Sequence, residues 1–222
     1  MLDPDTLALA WPYLLTALVA GYALGSVPFG LVLARLAGYG DIRKIGSGSI
    51  GATNVLRTGN KAIALATLLL DSGKGAIAVF AMGAIWGPDT ALVAGFGALL
   101  GHLFPVWLRF KGGKGVATAL GTLLAIAWPI GLATCATWLL VALVFRYSSL
   151  SALVAVAAAP FYAWFLPPLW APGAEMGGDL QLAGFAALVA VLVWIKHESN
   201  IKRLLAGAEP KIGEKKPPAT EG

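Results

Sequence analysis

The stretch that decides the fold is GVATALGTLLAIAWPIGLATCATWLLVALVFR, residues 115–146. As one straight helix it would run about 48 Å at about 1.5 Å per residue, against a hydrocarbon core of about 30 Å. It also contains Trp128-Pro129, and a proline inside a helix removes a hydrogen bond and clashes with the preceding turn. The stretch therefore reads as two short spans that meet at Pro129.

Charge then sets the number of crossings. Further apolar stretches lie at about 7–36, 62–86, 90–108, 149–167 and 180–196. With the break there are seven spans, and the connections 37–61, 109–114, 146–148 and the tail 197–222 share one side. All sixteen Lys and Arg fall in those segments or within a few helical turns of them, while Asp3, Asp5, Asp89, Glu175 and Asp179 go to the other side. Six crossings would place Lys196, Lys202 and Arg203 opposite the 37–61 loop. The bias of basic residues toward the cytoplasm thus predicts an all-α integral membrane protein. The expectation is a seven-transmembrane-helix bundle with short or broken helices, the N-terminus periplasmic and the C-terminus cytoplasmic.

Composition agrees with the membrane class. Of 222 residues 58% are hydrophobic and only 12% charged, with a mean hydropathy of +0.78; a soluble domain carries about a quarter charged residues. The first run lacks a basic n-region and starts with Asp3 and Asp5, so it does not read as a cleavable signal peptide. Residues 1–207 form a single polytopic membrane domain in this reading. Residues 208–222, with Pro210, Pro217 and Pro218, read as a flexible cytoplasmic tail. The first run is too long for one span and contains Gly25-Ser26-Val27-Pro28. It predicts a span to about Leu24, then a broken, re-entrant or interfacial segment to Arg35. Broken helices are tolerated in a membrane only where they line a cavity or are buried in protein, so these breaks point toward a site.

The lone cysteine, Cys135, excludes an internal disulfide and a cysteine metal cluster. Two histidines cannot build a three-histidine zinc site, and no carboxylates cluster. No metal and no cofactor are expected, and no nucleic-acid partner.

Three polar segments carry the chemistry. The first is GYGDIRKIGSGSIGATNVLRTGN, residues 38–60. Gly46, Gly48 and Gly51 satisfy GxGxxG, but a dinucleotide fold needs a strand before and a helix after, and no strand pattern exists. What survives is physical: glycines let backbone N–H groups approach an anion, and a following helix start adds partial positive charge. Ser47, Ser49, Thr53 and Asn54 add donors, with Arg57 one turn beyond Asn54. The second segment is RFKGGKGVAT, residues 109–118, where Lys111 and Lys114 flank Gly112-Gly113; it is not a P-loop. The third is HESNIKRL, residues 197–204. His197 and Asn200 share a helix face at three apart, and histidine titrates near neutral pH as a general base requires. Such cationic, donor-rich segments at one end of a bundle fit a phosphate beside a lipid chain. Asp71 and Lys74, inside the second apolar run, either pair with each other or face the site. His102 reads as a partner for a helix terminus.

The sequence resembles the bacterial acyl-phosphate:glycerol-3-phosphate acyltransferases. The resemblance rests on GSVPFG (25–30), GSGSIGATNVLR (46–57), LDSGKG (70–75), GHLFPV (101–106), KGGKGVAT (111–118) and HESNIKRL (197–204), in order along nearly the whole chain. The family commonly has Asn where this chain has Ser49. The resemblance implies a bacterial inner-membrane enzyme of phospholipid synthesis. It moves a fatty acyl group from acyl phosphate to the 1-hydroxyl of glycerol 3-phosphate, giving lysophosphatidic acid and inorganic phosphate. Motif by motif it implies Ser47, Arg57, Lys114, Ser149, His197 and Asn200 as catalytic or glycerol 3-phosphate residues. Gly46, Gly48, Ser49, Gly51, Thr53, Asn54, Lys111, Gly112 and Gly113 are expected around substrate phosphate. Acyl phosphate is a mixed anhydride, already activated, so no Ser or Cys nucleophile is required. Partners are the two substrates and the bilayer, with a monomer as the working expectation. The base is left as His197 or the donor's own phosphate, with His197 read mainly as orienting the acceptor. The competing class is a phosphate or organophosphate transporter, which would place its site near the midplane and show repeated halves. A metal-dependent phosphotransferase would need paired aspartates, and Asp41 and Asp71 stand alone.

Overall fold

A computed structural model describes residues 4–166 and 179–214. Ten α-helices occur among them: α1 (Pro4–Gly25), α2 (Phe29–Leu36), α3 (Ala52–Val55), α4 (Lys61–Trp86), α5 (Pro88–Leu103), α6 (Val116–Ile126), α7 (Trp128–Phe145), α8 (Ser148–Phe165), α9 (Leu180–Lys196) and α10 (Glu198–Leu205). Glu175, expected on the acidic side, lies outside the described residues, as do positions 215–222 of the tail.

The all-α membrane bundle is present, but the count of seven spans is corrected. Five segments are long and apolar enough to cross: Leu9–Leu36, Lys61–Trp86, Pro88–Leu108, Trp128–Phe145 and Ser148–Phe165. A sixth is reached if α9 and α10, bent by 67° at their junction, act as one. The break falls at Pro129, where α6 ends at Ile126 and α7 restarts at Trp128. What the apolar run concealed is how short α6 is: its 11 residues span about 16 Å, roughly half the hydrocarbon thickness. The parity that assigned the N-terminus to the periplasm and the C-terminus to the cytoplasm rested on seven crossings and falls with them. The first run is broken where expected, between Gly25 and Phe29. α1 and α2 are interrupted at Ser26–Pro28 yet count as one span from Leu9 to Leu36.

Small residues bring the helices together. α1 packs chiefly on α5, α4 on α5 and α6, α7 on α8, and α8 on α9. At the α1–α5 contact a Cβ on Gly25 would collide with the backbone of Ala98, and one on Gly101 with the backbone of Tyr22 and Ser26. Lipid tails are as apolar as leucine, so helix association in a membrane draws on such close van der Waals approach. Leucines and phenylalanines point outward instead: Leu140, Leu143, Val144 and Phe161 are exposed on the bundle surface, as a lipid-facing wall requires. A chain of contacts runs from Lys114 to Asn200 and on through Glu209 to Ser149. It places the 109–115 loop, the start of α8, α10 and the proximal tail at one end of the bundle.

Candidate active site

The 37–60 loop is a self-fastened structure. Asp41 caps a 3₁₀ turn at Ile42–Lys44 by accepting from Arg43 N at 3.0 Å. Its carboxylate also meets the guanidinium of Arg43 at 2.5 Å and that of Arg35 at 3.4 Å. Arg43 holds the Asp41 carboxyl well below the usual carboxylate range. These three charges are spent on each other. Asn54, 1% exposed, is the fastener. Its Nδ2 donates to Ile42 O and Ser49 O, both at 2.8 Å, and its Oδ1 accepts from Ser47 N at 3.1 Å and Ser47 Oγ at 3.3 Å. An amide has two donors and one carbonyl oxygen, and all are engaged.

Gly46 and Gly48 have φ of 57° and 69°, left-handed values that other L-residues adopt at a cost. At Gly46 the need is double, because a Cβ would collide with Arg57 Nη1 and Asn54 Oδ1. The glycine thus lets Arg57 lie across the loop. The expected backbone cradle is largely turned inward. Gly48 N donates to Ile45 O, Ser47 N to Asn54 Oδ1 and Gly51 N to Ser49 Oγ. Gly112 N and Gly113 N donate to Leu103 O and His102 O at the end of α5. α3, four residues long, is too short to supply much dipole. Side chains are left to hold an anion here.

Lys114, Asn200 and Ser149 do converge. Lys114 Nζ donates to Asn200 Oδ1 at 2.5 Å. Asn200 Nδ2 donates onward to Glu209 Oε1 at 2.6 Å, and Ser149 Oγ to the same oxygen at 2.7 Å. Arg203 Nε donates to Glu209 Oε2 at 2.7 Å. Burial lowers the Lys114 ammonium to about 8; Glu209 opposes the shift, while Arg203 and Arg57 add to it. Arg57 therefore lies close enough to share the site electrostatically. Thr53 Oγ1 meets Ser148 Oγ at 3.4 Å, tying the first loop to the start of α8. Ser47 and Arg57 are exposed, and Lys111 is an exposed cation with no described hydrogen bond or ion pair to the cluster. Among the described residues no group of His, Cys, Asp or Glu comes together that could hold a metal ion.

His197 sits at the bend between α9 and α10, 2% exposed. Its Nδ1 lies 2.8 Å from Val193 O. A carbonyl only accepts, so this contact assigns the proton to Nδ1 and leaves Nε2 with a lone pair.

Glu209 is the residue that sequence reasoning missed. It falls in the expected flexible tail from 208 to 222, yet residues 208–214 fold back on the bundle. Ile212 N donates to Arg146 O at 2.6 Å, Arg146 Nη2 donates to Ile212 O at 3.1 Å, and Lys211 Nζ stands 5.9 Å from the centre of the Tyr147 ring. The available signal was Gly207, a helix stop with φ of 66°, followed by Glu209-Pro210. Burial raises the Glu209 carboxyl, but hydrogen bonds from Ser149, Asn200 and Arg203 outweigh it and hold it below its ordinary value. Glu209→Ala leaves these donors without their acceptor, at about 1–3 kcal/mol for a buried group left unpaired. A lowered unfolding midpoint together with a raised KM for phosphate-bearing substrate is expected, and Glu209→Gln is expected to be milder. A midpoint and KM both unchanged in Glu209→Ala would refute this.

Comparison with known proteins places these residues in context. Residues 15–207 match the family model described as glycerol-3-phosphate acyltransferase. The chain is 60% identical over 210 residues to a glycerol-3-phosphate acyltransferase of Paramagnetospirillum magneticum, covering 94% of this chain and 98% of the relative. It is 60% identical over 206 residues to that of Rhodospirillum rubrum, covering 89% and 90%. Among solved structures it is similar to PlsY (YgiH), an integral membrane glycerol 3-phosphate acyltransferase, in its glycerol 3-phosphate form. The TM-score is 0.79 and the identity 36%, covering 90% of this chain and 96% of the other. The lysophosphatidic acid form of that protein is similar at a TM-score of 0.77 and 35% identity, covering 90% and 95%.

Proposed function

The chain belongs to the glycerol-3-phosphate acyltransferase family, and from that premise we propose that the Lys114–Asn200–Ser149 cluster, with Arg57, Ser47 and His197, is its substrate site. The protein is a multi-pass membrane enzyme of phospholipid synthesis in the bacterial inner membrane, and it uses acyl phosphate and glycerol 3-phosphate. The 1-hydroxyl oxygen attacks the acyl carbonyl, and the bond from that carbon to the phosphate oxygen breaks. The products are lysophosphatidic acid and inorganic phosphate. The observation that carries the site reading is the hydrogen-bonded chain from Lys114 through Asn200 and Glu209 to Ser149, which joins three sequence-distant segments at one end of the bundle.

Both substrates and both products carry phosphate, so cations rather than a nucleophile dominate the chemistry. Lys114 and Arg57 neutralise phosphate, an electrostatic contribution that grows as negative charge develops on the leaving group. Arg57 offers a planar fork suited to two phosphate oxygens, Lys114 a point charge. Ser47 and Ser149 add hydroxyl donors, and Ser49, Thr53 and Gly46 shape the loop around them. Gly112 and Gly113 support the site by bonding their N–H groups to the end of α5, and Lys111 is an exposed cation on the same loop. His197 Nε2 orients the acceptor hydroxyl, whose proton passes to His197 or to the leaving phosphate. No acyl-enzyme forms in this scheme, in keeping with Cys135 lying within α7.

The pH dependence follows from Lys114. Its charged form, present below about 8, is the one that binds phosphate. The value of kcat/KM for glycerol 3-phosphate is therefore expected to fall by about tenfold per pH unit once pH exceeds that value, as for loss of a single essential proton. Lys114→Arg stays charged and is expected to remove that fall. A flat profile to pH 10 in the wild type would separate Lys114 from phosphate binding. The direct test of the site is phosphate release from purified protein with acyl phosphate and glycerol 3-phosphate, comparing Ser149→Ala, Asn200→Ala and Arg57→Ala with wild type. Each is expected to lose activity while remaining folded; wild-type rates in all three would refute the reading. The transporter alternative finds no support, because the cluster lies at one end of the bundle and not at its midplane.

A further inference from the structure

Beneath the site lies a second group of ionisable residues that the reaction does not use. Lys74 and Asp71 on α4 are each 2% exposed, and His102 on α5 is 4% exposed. Lys74 Nζ is 2.9 Å from Asp71 Oδ1, and His102 Nδ1 is 3.7 Å from the same oxygen. Such groups inside a membrane protein are expensive and persist only with partners.

The partners here are informative. Lys74 Nζ donates to Val27 O at 3.0 Å, in the break between α1 and α2. A break in a membrane helix leaves carbonyls that need donors, and Lys74 supplies one. Trp107 Nε1 supplies another to Ser26 O at 2.8 Å. This would account for Lys74 and its counter-charge Asp71, but not for His102. The imidazole of His102 lies against Gly113 so closely that a Cβ there would collide with Nε2 and Cε1 of the ring. The backbone of the same residue accepts from Gly113 N at 3.0 Å, and its neighbour Leu103 O accepts from Gly112 N at 3.2 Å and Lys196 Nζ at 3.0 Å. On the other side Thr118 Oγ1, near the start of α6, donates to the backbone carbonyl of Asp71 at 2.9 Å, so the segment of α4 that carries the Asp71 carboxylate is fixed against α6. Lys114 is thus bracketed: Gly113 before it rests on the His102 ring, and Thr118 after it is tied to the main chain of α4 at Asp71, whose carboxylate faces His102. Among the described residues no well-directed hydrogen bond reaches Asp71 Oδ1 or His102 Nδ1, so charge attraction from Lys74 holds the Asp71 carboxylate and packing holds the His102 ring beside it.

We propose that Asp71, Lys74 and His102 form a buried brace that positions the 111–115 loop, and through it the Lys114 ammonium, against the substrate phosphate. The three are positioning residues and touch no substrate. The inference rests on the reading of Lys114 as a phosphate contact.

The test is steady-state kinetics of purified variants with glycerol 3-phosphate varied, alongside thermal unfolding in detergent. Gly113→Ala drives the loop off the His102 ring and is expected to raise KM for glycerol 3-phosphate on the order of 10²-fold, the effect of an ångström-scale misplacement. His102→Ala alone is expected to raise the same KM. His102→Ala added to Gly113→Ala removes the collision, so the pair should bind better than Gly113→Ala alone. A purely structural role would lower the unfolding midpoint without this compensation in KM. Asp71→Asn should likewise raise KM; if it does not fold, Asp71→Leu with Lys74→Met removes both charges together and should fold with KM still raised. Wild-type KM in folded His102→Ala and in the folded Asp71 variant overturns the brace. Lys114→Ala distinguishes the two levels: a wild-type KM there overturns the site reading, whereas a raised KM there beside unaffected Asp71 and His102 variants overturns the brace alone.

Discussion

Lys114→Ala is expected to lower kcat/KM for glycerol 3-phosphate on the order of 10²–10³-fold, the loss seen when a preorganised donor to developing charge is removed. The expectation follows from position as well as charge. Lys114 Nζ meets Asn200 Oδ1 at 2.5 Å, and Asn200 in turn bonds to Glu209, which also holds Ser149 and Arg203. Truncation removes a cation and also frees Asn200 to rotate, so the damage extends beyond one contact. Lys114→Arg keeps the charge but replaces a point charge on a flexible stem with a wider fork, beside Asn200 on α10. Lys114→Arg is expected to retain part of the activity. The measurement is phosphate release from acyl phosphate at several acceptor concentrations. A loss smaller than about threefold in Lys114→Ala would show that no phosphate depends on this residue for stabilisation of the transition state.

For His197→Ala the larger effect is expected in KM for glycerol 3-phosphate, with a smaller fall in kcat. General base catalysis contributes about 10²–10⁴-fold where it operates, but the leaving phosphate is itself a base beside the attacking hydroxyl. The imidazole is buried at the α9–α10 bend and anchored by Nδ1 to Val193 O at 2.8 Å. That arrangement holds Nε2 in a fixed direction, as an orienting group requires. His197→Asn keeps a hydrogen-bonding side chain and should recover part of the binding. The opposite pattern, an unchanged KM with a collapse of kcat, would reverse the assignment and make His197 the base.

How far these residues could be read from the chain differs from one to the next. Lys114 and Arg57 stood out because cations among glycines and hydroxyls have no need to be there for orientation alone. Asn54 belonged to the same motif, but its amide is consumed by Ile42, Ser49 and Ser47 within the loop. A motif shows which donors are near and not which are already satisfied. Gly112 and Gly113 make the same point, since their N–H groups turn to the α5 carbonyls. Glu209 could not be found by pattern: a Gly-stopped helix followed by Glu-Pro reads as a tail end until Ser149, Asn200 and Arg203 are seen to surround it.

The stretch 115–146 shows the same division for the fold. Its composition and its proline determined that the region is membrane-embedded and broken at Pro129, because both are local properties of the chain. The number of spans was not local. Whether an apolar half crosses the bilayer depends on its helical length, and α6 stops after 11 residues, while α9 reaches spanning length only together with α10. Charge on the loops determined that one end of the bundle would be basic. Only the tertiary structure decided which of those charges are spent on each other, as at Asp41 and Arg43, and which stand together as a site. Pairing depends on distances between residues far apart in the chain, and those are set by close helix packing at Gly25 and Gly101 and by the approach of the Gly113 loop to His102 on α5.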